Sequence, residues 1–238
     1  MSRTEPILFT AEQSTEAQHA ELPKVEVPVP KNSWFDSHKF HESIQSNGDL
    51  YQYDYFLEGK AFDSQQLVNW LGLLSGLPDF WSQLEARHPG KVTPVPRLSA
   101  LCSEGPIGQE VEIKTVVYST VRPPALINDL WTRVCDKLGW QRPIGDVVAL
   151  RFSEPAHSVG YHNWEPEDPT CDLPAVAYLW LGQSRPVLWR NADKKVTKKL
   201  TMGDGHLFVA PRGTWADWKF QVPKNKSFQG QSILLIFR

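Results

Sequence analysis

The spacing of hydrophobic and polar positions predicts two helices near the start of the globular part of the chain. Residues 64–74 place apolar side chains three and four positions apart, and Asp63 or Ser64 supplies an N-cap. The apolar face of this helix consists of Leu67, Val68, Trp70, Leu71 and Leu74. Pro78 predicts the start of a second, short helix that ends at residues 88–90.

A third helix and a long run of strands follow. Residues 123–138 begin with two prolines and then repeat apolar side chains at helical spacing. Before this helix, residues 94–122 alternate like strands. After it, seven short segments rich in β-branched and aromatic residues are separated by turn residues. This order predicts an α+β fold, with a jelly-roll core (a double-stranded β-helix, as in cupins) and the N-terminal helices packed on it.

The first 47 residues differ from the rest of the chain. They are polar and acidic, and prolines are scattered through them. Such a composition is typical of a flexible arm, because too few apolar side chains are present to form a core. We therefore predict an acidic arm over residues 1–47 and one domain over residues 48–238.

The cysteine content and the hydrophobic pattern indicate in which cellular compartment the protein is expected. The three cysteines, Cys102, Cys135 and Cys171, are widely spaced and odd in number, which argues against a disulfide framework. No apolar run approaches the roughly 20 residues of a membrane span, and the first residues do not resemble a signal peptide. These features predict an intracellular protein, cytoplasmic or nuclear, without a membrane partner.

Charge is unevenly distributed. The whole chain has a net charge of −2, but residues 184–238 carry eleven Lys or Arg against three Asp, which is +8. The candidate contacts for an anion or a nucleic acid in this segment are Arg190, Lys194, Lys195, Lys198 and Lys199. A solvated hairpin without any partner explains the same lysines, so both interpretations stay open.

One short segment carries the most specific signal. Residues 158–167 read SVGYHNWEPE. This segment resembles the metal-binding turn of the AlkB-like Fe(II)/2-oxoglutarate dioxygenases, which usually reads S-I-G-W-H-x-D-x-E. Other landmarks of that family follow in the same order over about 190 residues: PRLSA at 96–100, DVVALRF at 146–152, AVAYLWLG at 175–182, Gly203-Asp204, WKFQVP at 218–223 and ILLIFR at 233–238.

The resemblance implies a metal site whose ligands have mostly changed. In the family, two histidines and a carboxylate hold the iron and leave open positions for 2-oxoglutarate and oxygen. The first histidine is His162 here, whereas the carboxylate position is Trp164 and the distal histidine position is Phe220. Glu165 lies one residue beyond the carboxylate position and is the alternative that rebuilds a site.

The positions that hold 2-oxoglutarate in the family have changed as well. They read Leu150, Phe152, Ser232, Leu234 and Arg238, so only the final arginine is retained. Exchanges from polar to apolar at five of these metal and co-substrate positions predict a cavity filled by side chains, without a metal or other cofactor. Arg238 is then expected to pair internally, and His162 to be a partly buried histidine rather than a ligand.

Three functions remain open at this point. The first is a catalytically inactive AlkB-like pseudoenzyme that acts as a binding module for nucleic acid or for a protein. The second is a structural jelly-roll protein that self-associates through the arm, its oligomeric state being undetermined by sequence. The third is an active Fe(II)/2-oxoglutarate dioxygenase of nucleic acids with unusual ligands. No other catalytic motif, such as G-x-S-x-G, a P-loop or H-E-x-x-H, is present.

Overall fold

We describe the protein from a computed structural model. The residues that it describes are 41–44, 50–53, 64–138, 145–162, 175–191, 197–211 and 218–238. Two helices lie among them, α1 (Ser64–Ser75) and α2 (Ala125–Leu138). The strands are β1 (His41–Ile44), β2 (Leu50–Tyr53), β3 (Ser82–His88), β4 (Lys91–Ser103), β5 (Glu110–Ile113), β6 (Val116–Val121), β7 (Asp146–Phe152), β8 (Val159–His162), β9 (Ala175–Gly182), β10 (Arg185–Asn191), β11 (Thr197–Met202), β12 (Leu207–Pro211), β13 (Trp218–Val222) and β14 (Ser232–Phe237).

The strands form two sheets. The larger has ten strands in the order β1-β2-β12-β9-β14-β7-β4-β3-β6-β5, and the smaller has four in the order β11-β10-β13-β8. Neighbours in both sheets are antiparallel, apart from the additional parallel contact of β4 with β6. The predicted jelly-roll core with helices packed on it is confirmed.

The central strands of the larger sheet bury both of their faces. Along β14, Leu234 and Ile236 point into the space between the two sheets, whereas Ile233, Leu235 and Phe237 pack with the helices. Strands β7, β9 and β12 follow the same alternation. One sheet therefore separates two hydrophobic cores, one shared with the smaller sheet and one shared with α1 and α2.

The prediction of a helix that begins at Pro78 is wrong. Residues 82–88 form strand β3, which pairs with β4 over the register Ser82↔Ser99 to His88↔Lys91. This segment has too few apolar residues for their spacing to distinguish a helix from a strand. The neighbouring strand provides the hydrogen-bond partners that favour the strand. The turn before it is held by the Trp81 indole N–H, which donates to the Leu74 carbonyl at 2.8 Å.

Two smaller predictions meet different outcomes. In α1, Leu67 and Leu74 are buried as expected, but Val68 is 57 % exposed, because the helical turn carries it off the stripe that faces the sheet. Strand β1 falls inside the predicted arm and pairs with β2, at the edge of the larger sheet. The arm and domain boundaries themselves stay a prediction. None of the described helices has the length and apolar character needed to cross a membrane.

Candidate functional site: the interior of the jelly roll

The two positions that the resemblance assigns to iron-binding histidines, one retained and one changed, lie side by side. His162 ends β8, and its partner in the antiparallel register on β13 is Phe220. The two positions that the resemblance assigns to iron-binding histidines are therefore neighbours on adjacent strands. Phe220 is only 2 % exposed, and a phenyl ring has no lone pair to offer a metal ion. Trp164 and Glu165 lie outside the described residues.

Phe220 belongs to a cluster of four aromatic rings in the interior. Phe220 stacks on Tyr178 with ring centres 5.4 Å apart and meets Trp189 edge-on at 5.3 Å. Phe208 lies 4.8 Å from Trp189 and 6.0 Å from Tyr178. The four residues come from β9, β10, β12 and β13, so the ring cluster joins the two sheets. We call Tyr178, Trp189, Phe208 and Phe220 the aromatic cluster.

The positions assigned to 2-oxoglutarate binding form a second patch of the same interior. Phe152 pairs with Ser232, and Leu150 pairs with Leu234, across β7 and β14. All four side chains are buried. Phe152 also stacks on Trp180, with ring centres 5.6 Å apart and planes only 12° apart. The four positions are thus closed off from solvent, and Phe152 is packed against another aromatic ring.

Arg238 lies at the other end of the β7–β14 pair from Ser232. Its backbone N–H donates to the Asp146 carbonyl at 3.0 Å, and the Asp146 N–H donates back at 2.9 Å. Its positive charge acts on the buried Tyr118, where it favours the phenolate and partly opposes the rise in pKa caused by burial. The structure therefore does not bring Arg238 together with the other four positions in one packed patch.

Two buried arginines of this interior were missed by sequence reasoning. Arg185 is fully buried, and its guanidinium lies over the rings of Phe152 (4.9 Å) and Phe228 (4.3 Å). It donates to the carbonyl oxygens of His157 (2.7 Å) and Pro223 (3.2 Å). Burial lowers the pKa of Arg185 to about 10, which leaves it charged at neutral pH.

The second is Arg97, which is 3 % exposed and belongs to the PRLSA landmark. It donates to the Ser158 carbonyl at 3.1 Å and to the Tyr118 hydroxyl, so it ties β4 to the segment that precedes β8. The available signal was alternation, since Arg97 has the same parity along β4 as the buried Val95 and Leu101.

The environment of His162 is positive and partly dry. Burial, together with the charges of Arg97 and Lys114, lowers the pKa of His162 to about 4. The imidazole is therefore neutral at pH 7. The same two cations raise the electrostatic cost of placing a divalent cation beside this ring.

The described residues do not fit an iron centre. No group of three His, Cys, Asp or Glu side chains among them is arranged to hold a metal ion. The position opposite His162 is a packed phenylalanine, and the charges acting on His162 are cationic. A three-ligand site with open positions is not built by these residues.

Three of the five predicted basic contacts lie on the smaller sheet. Arg190 is on β10, and Lys198 and Lys199 are on the edge strand β11, where both side chains are exposed. Lys194 and Lys195 lie outside the described residues. The Gly203-Asp204 landmark is a turn, in which the Asp204 carboxylate accepts a 2.8 Å hydrogen bond from the Gly182 N–H.

Comparison with known proteins bears on the fold. No protein-family model and no curated protein matches the chain. The solved structure of OsALKBH1 is similar over 82 % of this chain and 100 % of that chain, with a TM-score of 0.51 and 10 % identity. An oxidoreductase of the 2OG-Fe(II) oxygenase family from Burkholderia pseudomallei is similar over 79 % and 84 %, with a TM-score of 0.47 and 13 % identity. With its two-sheet core and the likeness to OsALKBH1, the chain has the fold of the AlkB-like 2-oxoglutarate oxygenases.

Proposed function

We propose that this protein is a catalytically inactive protein with the AlkB-like oxygenase fold, and that it acts as a binding module for nucleic acid or a protein. The observation that carries the proposal is Phe220. It stands opposite His162, is buried, and packs on Tyr178 and Trp189. A phenyl ring at this position removes a metal ligand and fills the adjoining volume. The single exchange of histidine for phenylalanine therefore disfavours binding of both the metal and the co-substrate.

The co-substrate positions support the same proposal. Phe152 and Leu234 offer no hydrogen bond to a keto acid. The Phe152 ring stacks on Trp180 and also contacts the Arg185 guanidinium. Opening a space for 2-oxoglutarate there would separate packed rings and expose buried apolar surface. A protein without turnover acts by binding a partner on its surface. Among the described residues, the cations of the smaller sheet are the strongest candidate for such a binding surface.

The test is metal and co-substrate binding to the full chain. We expect no stoichiometric Mn(II) binding by calorimetry, with or without 2-oxoglutarate, and no succinate release with Fe(II), ascorbate and oxygen. His162→Ala should leave these results unchanged. A matched control is His88→Ala on the exposed end of β3, which separates adventitious binding by a surface imidazole from binding at the interior.

The contrary result is equally specific. Micromolar Mn(II) affinity that is lost in His162→Ala but kept in His88→Ala, together with succinate release, would establish an active enzyme with unusual ligands and overturn the proposal.

A further inference from the structure

We propose that the outer face of the four-stranded sheet binds single-stranded nucleic acid. We define this outer face by Tyr161, Leu188, Arg190, Lys199, Lys219 and Gln221. The inference rests on the proposed function in one respect: it assigns the binding role to a surface outside the jelly-roll interior. Four residues of the face were not among the contacts predicted from the sequence: Tyr161, Leu188, Lys219 and Gln221.

The strand register fixes which cations share this face. Arg190 is the partner of Lys219 on one side and of Thr197 on the other. Directly paired residues of antiparallel strands point to the same side of a sheet. The preceding residue of β10, Trp189, is buried inside with its partner Phe220, so Arg190 and Lys219 point outward.

The same register separates two neighbouring lysines. Lys199 is the partner of Leu188, which points outward like Arg190, whereas Lys198 is the partner of the buried Trp189. Lys198 and Lys199 are both exposed because β11 is an edge strand. They nevertheless project to opposite sides of the sheet, and only Lys199 belongs to the outer face.

An aromatic ring lies among these cations. The Arg190 guanidinium carbon is 5.4 Å from the centre of the Tyr161 ring, within the range of a cation–π contact. Both side chains are half-buried, so part of each remains open to a ligand. Tyr161 precedes His162, whose partner on β13 is the buried Phe220, so alternation along β8 places Tyr161 on the outer side.

Charge selects the partner. None of the residues in β8, β10, β11 and β13 is Asp or Glu, and among the described residues no ion pair with a carboxylate involves Arg190, Lys199 or Lys219. Three cations on one face complement a polyanion. The half-buried Tyr161 ring beside them favours unpaired bases, which stack on aromatic side chains, over a duplex, whose bases are already stacked. The face of a four-stranded sheet also presents no helix for the major groove.

The experiment is fluorescence anisotropy of the full-length protein with labelled 12-nucleotide RNA and DNA single strands and the matching duplexes. We expect single strands to bind more tightly than duplexes, and affinity to fall about 20-fold between 50 and 200 mM salt if three phosphates are neutralised. The RNA and DNA arms show which sugar is preferred. The double variant Lys199→Ser/Lys219→Ser should reduce the slope of log affinity against log salt by about 1.4.

Matched variants localise the site. Lys198→Ser, on the opposite side of the same strand, should change affinity less than twofold. Tyr161→Ala should weaken binding about tenfold, whereas Tyr161→Phe, which keeps the ring, should retain most of the affinity. Unchanged far-ultraviolet circular dichroism shows that each variant is folded.

Four results would overturn the inference: no binding at 50 mM salt, an equal loss in Lys198→Ser, duplexes bound as tightly as single strands, or polyglutamate competing as well as an oligonucleotide. The last result would indicate an acidic protein segment as the partner. Succinate release in the metal assay would overturn the proposed function while leaving this face unaffected, so the two failures can be told apart.

Discussion

The protonation of His162 links the interior of the jelly roll to the stability of the fold. Its pKa is lowered to about 4 because the ring is buried and because Arg97 and Lys114 are nearby, whereas in the unfolded chain it is near 6.5. Between these pH values the unfolded chain binds a proton that the folded chain refuses. The neutral His162 therefore makes its full contribution to the free energy of unfolding above pH 6.5, and this contribution is lost as the pH falls toward 4.

Replacing this histidine should flatten that dependence. From the difference in pKa, His162 accounts for up to about 3 kcal/mol of the loss in stability between pH 7 and pH 4. In His162→Gln the loss should be smaller by about 2 kcal/mol, measured by urea unfolding at both pH values. His157, whose pKa is also lowered, titrates in both proteins and cancels. Identical pH dependence in the two proteins would show that His162 is protonated as readily in the folded protein as in the unfolded chain.

The aromatic cluster gives a second prediction at the scale of one residue. Phe220→His restores the residue type expected at this position in the oxygenases, but it places a polar ring among Tyr178, Trp189 and other buried side chains. We expect a loss of about 3 kcal/mol in the free energy of unfolding. Phe220→Leu, which stays apolar, should cost less. A histidine variant that melts at or above the wild-type temperature would indicate a wet, open cavity.

At the scale of elements, the turn between β9 and β10 depends on a glycine. Gly182 has a positive φ of 85°, and a Cβ at this position would overlap the Gln231 carbonyl and the Leu71 side chain. Gly182→Ala should destabilise the fold by about 2–4 kcal/mol, since it combines backbone strain with overlap.

A second glycine provides the control. Gly108 has a similar φ of 78°, but no atom lies within 4 Å of the position of its Cβ. Gly108→Ala should therefore cost only about 1 kcal/mol, the backbone contribution. Chemical unfolding of both variants checks the difference. Equal losses would mean that the contact with Gln231 relaxes without cost.

Elements were predictable from the sequence wherever local pattern and tertiary partners agree. Helix α2 has prolines at its start and a regular apolar stripe, and β7, β9 and β14 are rich in β-branched and aromatic residues. The segment 82–88 lacks a clear period, and its strand state depends on β4, a partner that only the folded chain supplies. Local pattern therefore fails where the pairing strand decides.

The candidate site shows the same division. The resemblance identifies His162 and Phe220 as related positions, and the register places them opposite each other. The burial of Arg185 cannot be deduced from sequence, because its contacts come from Phe152, Phe228 and two loop carbonyls far apart along the chain. Nor can sequence assign Lys198 and Lys199 to opposite sides of the sheet, since that requires the pairing with β10.

At the scale of the whole molecule, the two hydrophobic cores share the central strands of the larger sheet. Each of the strands β7, β9, β12 and β14 gives alternate side chains to the interior of the jelly roll and to the layer of helices. Loss of the helical layer would expose Ala149, Leu179 and Leu235, which are fully buried on these strands. A partly unfolded state that keeps one core therefore exposes a whole sheet face to water, which is unfavourable.

This arrangement predicts that the described domain unfolds in one cooperative step. Urea unfolding followed by circular dichroism at 222 nm, which includes the signal of α1 and α2, should coincide with unfolding followed by near-ultraviolet circular dichroism, which reports the packed rings of the aromatic cluster. Leu130→Ala in α2, a fully buried position, should move both curves together to lower urea by a loss of about 3 kcal/mol. If the helical signal alone shifts in that variant, the helices form a separate unit, and the larger sheet is stable with one face exposed.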